Sequence, residues 1–130
     1  MGKRYLIDTN IAIYFLDGVL PPATLPFIQS VLGEECNLSI ITKIELLGWS
    51  FPNPLKATET TSFVNNSVIF PLSDEVAQKT ISIRKLHKIK LPDAIIAATA
   101  LVYDITLVSR NDKDFASIPF LKYINPFSVS

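Results

Sequence analysis

The chain has 130 residues, 48% of them hydrophobic and 18% charged, and its 12 basic side chains balance its 12 acidic ones. This length predicts one domain, over residues 1–130, that buries a core without disulfide bonds or a structural metal. A neutral chain is not drawn to nucleic acid by its overall field, so contact with a polyanion must come from a local patch. The high apolar content also predicts that another subunit or partner covers part of the surface.

The cysteine content argues against a disulfide-bonded or zinc-cysteine protein, and the short apolar runs argue against a membrane-spanning or secreted one. Cys36 is the one cysteine, so it forms neither an internal disulfide bond nor a cysteine zinc site, and we expect a buried thiol. No apolar run approaches the ~20 residues of a membrane span. The apolar stretch after Arg4 is too short for a signal peptide, since Asp8 interrupts it. We therefore expect a cytoplasmic protein with no membrane contact.

The chain begins with a short apolar run, residues 5–7, that leads directly into an acid. The run has no alternating polar position, which predicts a strand buried on both faces, as in a parallel sheet. The three polar residues Asp8-Thr9-Asn10 interrupt it, and a helical pattern follows at once, with Gly18 as its C-terminal cap.

Strand and helix patterns then alternate to the end of the chain. The further predicted strands are 36–40, 67–71 and 105–109, of which 67–71 is expected to be buried, with an edge strand within 121–127. The further predicted helices are 23–32, 42–49, 55–65, 74–88 and 91–102. The helix over 23–32 is expected to end at Gly33. This alternation favours an α/β fold with three layers, in which helices cover both faces of a four- or five-stranded, mainly parallel sheet.

An acid follows the first predicted strand, at the sheet edge where open parallel sheets place their chemistry. Asp8 occupies this position at the carboxyl end of the strand. The alternative interpretation is structural, because aspartate is a preferred N-cap and Asp8 directly precedes a helix. The recurrence of three more acids in comparable settings favours the functional interpretation.

Glu45 and Asp93 occupy two of these settings. Glu45 lies about one helical turn after a predicted strand, at the same end of the sheet as Asp8, although such a glutamate can simply point to water. Asp93 follows Pro92 at the start of a helix, where its charge favours the helix dipole. The helix that follows has almost no polar face and is expected to be buried. A carboxylate at its head needs a partner, for which a cation is suitable.

The last acidic group follows the fourth predicted strand and contains Asn111, Asp112 and Asp114. A solvated turn is the alternative, and we accept it for Asp112. If the sheet is parallel, the acids converge at one rim, where their repulsion costs stability unless a cation neutralises it. Oxygen ligands without histidine or cysteine suit Mg²⁺ or Mn²⁺. Such a cation, with open positions for water and phosphate, is suited to phosphodiester hydrolysis.

Four blocks of the sequence resemble the signature blocks of PIN-domain ribonucleases. The blocks are Asp8-Thr9-Asn10 after an apolar strand, residues 41–48 around Glu45, residues 91–100 with Asp93, and residues 107–115. Their order, the chain length and the closing residues 124–127 are most similar to VapC-type toxins of bacterial type II toxin–antitoxin pairs. The resemblance implies a Mg²⁺-dependent endoribonuclease, with Mn²⁺ as a substitute, that forms a homodimer and is inhibited by a cognate antitoxin. It carries Asp8, Glu45 and Asp93 over as the acidic core.

The fourth block departs from the simplest family pattern, because Asn111 stands where an aspartate is frequent. Asp114 is the alternative fourth acid, and the choice of fourth ligand stays open between Asn111, Asp112 and Asp114. In the expected reaction, a carboxylate such as Glu45 helps to deprotonate the water that attacks an RNA phosphorus in line.

Substrate contacts are predicted from basic and polar residues near the acids. The densest basic stretch directly precedes the third acid and contains Arg84, Lys88 and Lys90, which would bring RNA phosphates toward the site. A solvated helix face is the equal alternative. Asn10 and Arg110 are also predicted to contact the substrate.

Three other functions compete with this interpretation. A receiver domain needs an adjacent acid pair after the first strand and an aspartate after the third, whereas Phe70-Pro71-Leu72 stands at the third. A haloacid-type phosphatase needs two aspartates separated by one residue, but Asn10 occupies the second position. The third alternative is a PIN fold that binds RNA or protein without catalysis, which Asn111 supports.

Overall fold

The structure, a computed structural model, describes residues 4–128 and shows a parallel sheet with helices on both faces. The ends of the predicted domain, residues 1 and 130, lie outside the described residues. The strands are β1 (Tyr5–Ile7), β2 (Asn37–Ser39), β3 (Val68–Phe70), β4 (Thr106–Val108) and β5 (Tyr123–Ile124). Their order is β3-β2-β1-β4-β5, and every pair is parallel. The predicted α/β fold is confirmed, with β5 as the fifth strand at one edge.

The helices connect successive strands in the manner of a parallel sheet. They are α1 (Thr9–Leu16), α2 (Leu25–Glu34), α3 (Ile40–Leu47), α4 (Pro54–Asn65), α5 (Asp74–Leu86), α6 (Leu91–Val102) and the short α7 (Asp112–Phe115). None of the helices described over residues 4–128 has the length and apolar character needed to cross a membrane.

The alternating side chains of the central strands produce the three layers. Leu6 of β1 and Leu107 of β4 belong to a buried cluster that includes side chains of α5 and α6. Their neighbours Ile7 and Val108 belong to a second buried cluster, with side chains of α1 and α2. Because successive residues of a strand point to opposite faces, each strand contributes to both clusters. The predicted burial of β1 on both faces is therefore confirmed.

Helix α6 is buried along most of its length, as its sequence predicts. All residues from 94 to 100 are buried, and four of those seven positions are alanine. Small side chains allow the backbones of neighbouring helices to approach closely, and α5 packs along α6. The position of Asp93 at the start of α6 is therefore held by a core helix.

Several helix boundaries differ from the predicted ones by one or two residues, and the structure gives a reason for two of these differences. Helix α2 continues through Gly33 to Glu34, since Gly33 does not adopt the left-handed conformation that ends many helices, whereas Gly18 does, with φ of 69°. Helix α3 begins at Ile40, inside the predicted strand 36–40, because the hydroxyl of Ser39 caps it.

Two predictions of burial are too strong. Strand β3 is an edge strand, and Val68 is 42% exposed, because only β2 pairs with this strand in the sheet. Cys36 is half-buried rather than fully buried. Its partial burial still raises the pKa of the thiol above the ordinary value.

Candidate active site

Asp8 directly follows the central strand, and two hydrogen bonds hold its side chain. One carboxylate oxygen, Oδ1, accepts a hydrogen bond from the backbone N–H of Thr9 at 2.9 Å, and Oδ2 accepts one from the hydroxyl of Ser109 at 2.7 Å. Asp8 is also the N-cap of α1 and is only 4% exposed. Asp8 therefore caps α1 and also lies at the acidic rim, so the structural interpretation does not exclude the functional one. Burial raises the pKa of Asp8, while the hydrogen bonds from Ser109 and Thr9 act in the opposite direction.

Glu45 reaches the same rim from α3 through the residue after Asp8. The hydroxyl of Thr9 donates a hydrogen bond to Oε1 of Glu45 at 2.6 Å, and the hydroxyl oxygens of Thr9 and Thr42 lie 2.9 Å apart. Thr9 and Thr42 are buried, whereas Glu45 as a whole is exposed. The alternative interpretation of Glu45, a side chain that only points to water, does not describe this contact.

Asp93 is half-buried in the first turn of α6 and lies in the field of three other acids. Burial, and after it the charges of Asp8, Asp114 and Glu45, raise the pKa of Asp93 from 3.8 to about 6, against a smaller lowering by Lys90. The four acids therefore repel one another at one rim of the sheet, as expected from their positions after parallel strands and at helix starts.

The last acidic group, Asn111, Asp112 and Asp114, does not form a simple turn, because residues 112–115 form the short helix α7. Asn111 caps this helix: its Oδ1 accepts a hydrogen bond from the backbone N–H of Asp114 at 3.3 Å, and its Nδ2 donates one to the Asp114 carboxylate at 2.7 Å. The backbone N–H of Asn111 in turn donates to the hydroxyl of Ser109 at 3.0 Å. Asn111 therefore holds Asp114, and the geometry favours Asp114 as the fourth acid.

Asp112 has a structural role on the other side of α7. Its carboxylate accepts hydrogen bonds from the hydroxyl of Tyr123 and, at 3.2 Å to each oxygen, from the side-chain amide of Asn125. Asp112 is exposed, but these three hydrogen bonds tie α7 to the segment of β5. The prediction of a solvated turn therefore describes only part of its role.

The structure divides the predicted substrate residues between the surroundings of the rim and a separate groove. Asn10 is exposed in α1, and Lys90 is close enough to Asp93 to lower its pKa. The guanidinium of Arg110 lies over the ring of Phe127, 4.4 Å from its centre. Arg84 and Lys88 line a separate shallow groove. That groove also contains Leu91, two residues before Asp93. Within residues 4–128, no hydrogen bond or ion pair joins Arg84 or Lys88 to the acids.

The chemistry of the side chains at the rim fits a divalent cation, although their present positions do not yet form a metal site. Within residues 4–128, no group of three acidic, histidine or cysteine side chains is already clustered as a metal site. The four carboxylates nevertheless provide only oxygen donors, which Mg²⁺ and Mn²⁺ prefer. Their mutual repulsion, visible in the raised pKa of Asp93, is the electrostatic condition that a bound cation relieves. The donor chemistry fits a hard cation, and ligation by three carboxylates needs side-chain rotation.

Three hydroxyl residues of the site were not predicted: Thr9, Thr42 and Ser109. Each is buried at or just after a strand end, where polar side chains interrupt an apolar pattern. A signal was available for Thr42, because it lies three residues before Glu45 and therefore on the same face of α3. Ser109 had a weaker signal, as the first polar residue after a buried strand.

An apolar groove adjoins the site on the side of Glu45. Its lining includes Ile13 of α1, Leu46 and Trp49 of α3 and its following turn, and Phe51 before α4. The sequence allows Trp49 as a core residue or as an anchor of a partner surface. Trp49 is 69% exposed, so the core interpretation is wrong for this side chain.

Comparisons with known proteins agree with this architecture. A family model described as the PIN domain matches residues 5–121. A toxin–antitoxin complex from Klebsiella pneumoniae contains a chain 29% identical to this one, with a TM-score of 0.79 over 96% of this chain and 99% of that chain. A structure of VapBC2 from Rickettsia felis bound to a DNA fragment from their promoter is 24% identical, with a TM-score of 0.78 over 93% and 97%.

A third structure, DNA-bound VapBC from Salmonella typhimurium, is 20% identical and has a TM-score of 0.81 over 96% of this chain and 99% of that chain. At this low identity the Salmonella and Rickettsia structures support the fold alone. No curated protein sequence matches the chain. Because the family model spans most of the chain and the fold agrees with it, the chain belongs to the PIN domain family.

Proposed function

We propose that this PIN-domain protein is a Mg²⁺-dependent endoribonuclease and the toxin of a type II toxin–antitoxin pair, with Mn²⁺ as a substitute metal. The observation that carries the proposal is the convergence of Asp8, Glu45, Asp93 and Asp114 at one rim, where burial and the charges of the other three acids raise the pKa of Asp93 to about 6. A fold alone does not establish a function. A cluster of repelling carboxylates, one of them with a raised pKa, is a specific feature of the site.

The acids have separable roles in the proposed reaction. Asp8, Asp93 and Asp114 would hold the cation, with Glu45 as a further ligand. When bound, Mg²⁺ stabilises the negative charge that develops on the phosphate during displacement. Glu45 also accepts a proton from the attacking water, since Thr9 contacts only its Oε1 and no contact to Oε2 is seen within residues 4–128. Ser109 and Asn111 keep Asp8 and Asp114 in place through their hydrogen bonds.

Basic side chains near the rim are proposed to bind the RNA backbone. Arg110 lies two residues before α7, which carries the fourth acid, and its guanidinium packs over the ring of Phe127. Lys90 is close enough to Asp93 to affect its pKa. Because the net charge of the chain is zero, these local charges would provide the salt-dependent part of binding. Arg84 and Lys88 would extend the contact along the groove that they line.

Two protein partners belong to the proposal. The Klebsiella pneumoniae structure similar to this chain is a toxin–antitoxin complex, which supports a cognate antitoxin. A homodimer is supported by large apolar side chains that the surface exposes, among them Ile44, Trp49, Ile81 and Leu86. The non-catalytic alternative loses its main support, since Asn111 holds an acid in place rather than replacing it.

The proposal is tested by RNA cleavage with purified protein in Mg²⁺ and in EDTA. We expect Mg²⁺-dependent cleavage that leaves 5′ phosphate and 3′ hydroxyl ends, and a large loss of rate in Asp93→Asn with the fold retained. Asp74→Asn is the matched control, because Asp74 also lies in the first turn of a helix but outside the acidic rim. Cleavage that persists in EDTA, or leaves 2′,3′-cyclic phosphate, would show that the 2′ hydroxyl is the nucleophile and that the mechanism is wrong.

A further inference from the structure

Thr9 makes two contacts that no other residue of the site combines. Its backbone N–H donates to Oδ1 of Asp8 at 2.9 Å, and its hydroxyl donates to Oε1 of Glu45 at 2.6 Å. The two acceptors belong to different helices, since Asp8 caps α1 and Glu45 lies in α3. One residue therefore holds two of the four acids of the rim.

The direction of the hydrogen bonds follows from the number of protons available. A threonine hydroxyl has one proton, and Thr9 uses its proton for the carboxylate of Glu45, which has none to donate when ionised. The contact of 2.9 Å between Thr9 and Thr42 must then be donated by Thr42. The three residues form a chain in which Thr42 donates to Thr9 and Thr9 donates to Glu45.

The helix geometry explains why this chain can form. Thr42 and Glu45 are three residues apart in α3 and therefore point to the same side of the helix. The hydroxyl of Thr9, which projects from the start of α1, contacts both of them. Thr42 is completely buried, so its hydroxyl needs a partner within the protein.

Other threonines of the helices behave differently. Five of them donate their hydroxyl to the carbonyl four residues earlier in the same helix: Thr58, Thr60, Thr61, Thr80 and Thr99. Thr9 and Thr42 lie in the first turn of their helices, where the residue four positions earlier belongs to a strand. Their hydroxyls are thus left for contacts between helices.

We propose that Thr9 is a positioning residue that sets the geometry between Asp8 and Glu45, and that Thr42 orients the Thr9 hydroxyl for this task. The inference rests on the proposed function only for its catalytic consequence. Of the four acids, Glu45 is the one on an exposed residue of a helix surface. Without the hydroxyl of Thr9, its flexible side chain loses the contact that selects one rotamer, while Asp8 keeps the backbone contact.

The first test measures the Glu45 side chain directly, on the full chain in EDTA. Three-bond NMR couplings report whether its χ1 angle occupies one rotamer. We expect a single rotamer in the wild type and in Thr9→Ser, and averaging over rotamers in Thr9→Val, which keeps the branched shape without the hydroxyl. Thr80→Val is the matched control, because Thr80 is also buried but donates within α5. An unchanged rotamer distribution in Thr9→Val would overturn the role of Thr9.

The second test measures the consequence for RNA cleavage in Mg²⁺. Misplacement of a catalytic group by about 1 Å can cost about 100-fold in rate, so we expect Thr9→Val to lower kcat by about 10- to 100-fold with KM unchanged. Thr9→Ser should restore the rate, and Thr42→Val should lose less than Thr9→Val. In a Glu45→Ala background, Thr9→Val should have no further effect.

The two tests separate the inference from the proposed function. A wild-type protein that cleaves no RNA would overturn the nuclease, whereas the NMR measurement would still decide whether Thr9 holds Glu45. An additive loss of rate in the double variant Thr9→Val with Glu45→Ala would overturn positioning through Glu45, since it would show that Thr9 acts by another route.

Discussion

Replacement of Asp93 by asparagine is expected to stabilise the protein at neutral pH in the absence of a divalent cation. Asp93 is half-buried, and burial together with Asp8, Asp114 and Glu45 raises its pKa from 3.8 to about 6. The ionised carboxylate is therefore less favourable in the folded protein than in the unfolded chain. Asparagine has nearly the same shape and removes the charge.

The magnitude and the pH window follow from the two pKa values. A difference of about two between the folded and unfolded pKa corresponds to about 3 kcal/mol, which solvent screening at a half-exposed site reduces to about 1.5 kcal/mol. Because the folded pKa is the higher one, the folded state binds more protons between pH 3.8 and about 6. The stability contributed by Asp93 is thus fully present below the lower value and is lost as the pH rises through the higher one.

The assay is denaturant unfolding of both proteins in EDTA. At about pH 7 we expect Asp93→Asn to be more stable by about 1.5 kcal/mol, or about 6 °C in Tm, and at about pH 5 the difference should fall by about half. Asp74→Asn is the control, since it removes a first-turn charge from α5 outside the rim and should destabilise by about 0.5 kcal/mol. Addition of Mg²⁺ should stabilise the wild type more than Asp93→Asn.

Two results would refute this reasoning. If Asp93→Asn is destabilised at neutral pH as much as Asp74→Asn, the helix dipole outweighs the repulsion between the acids. If the advantage of Asp93→Asn is the same at both pH values, its cause is not the charge of the carboxylate.

The remaining predictions concern metal, RNA and assembly. Asp8→Asn should abolish most Mg²⁺ or Mn²⁺ binding in calorimetric titration, and identical titrations of wild type and variant would contradict the metal site. Replacement of Lys88 and Lys90 by alanine should weaken RNA binding and flatten its dependence on salt, because fewer counterions are released; an unchanged slope would exclude them from the interface. Light scattering at micromolar concentration should give the mass of a homodimer, and a monomer there would contradict the proposed assembly.

Local patterns in the sequence were sufficient for most of the fold. The apolar run at 5–7 before Asp8 predicts a buried strand, and the nearly apolar segment after Asp93 predicts a buried helix. Both patterns involve residues close together in the chain, and the structure contains both elements as predicted. Boundaries were less accurate, since Ser39 caps α3 inside a predicted strand. A cap depends on one hydrogen bond, which the hydrophobic pattern does not report.

By itself, the sequence determined that acids follow strands or begin helices in an alternating α/β chain, because that information is local. Only the tertiary structure decided how these acids are held. The bonds of Asp8 to Ser109 and of Thr9 to Glu45 join residues 101 and 36 positions apart. They exist because the sheet places β1 between β2 and β4, and an order of strands depends on packing between distant segments, which no periodicity in the chain records.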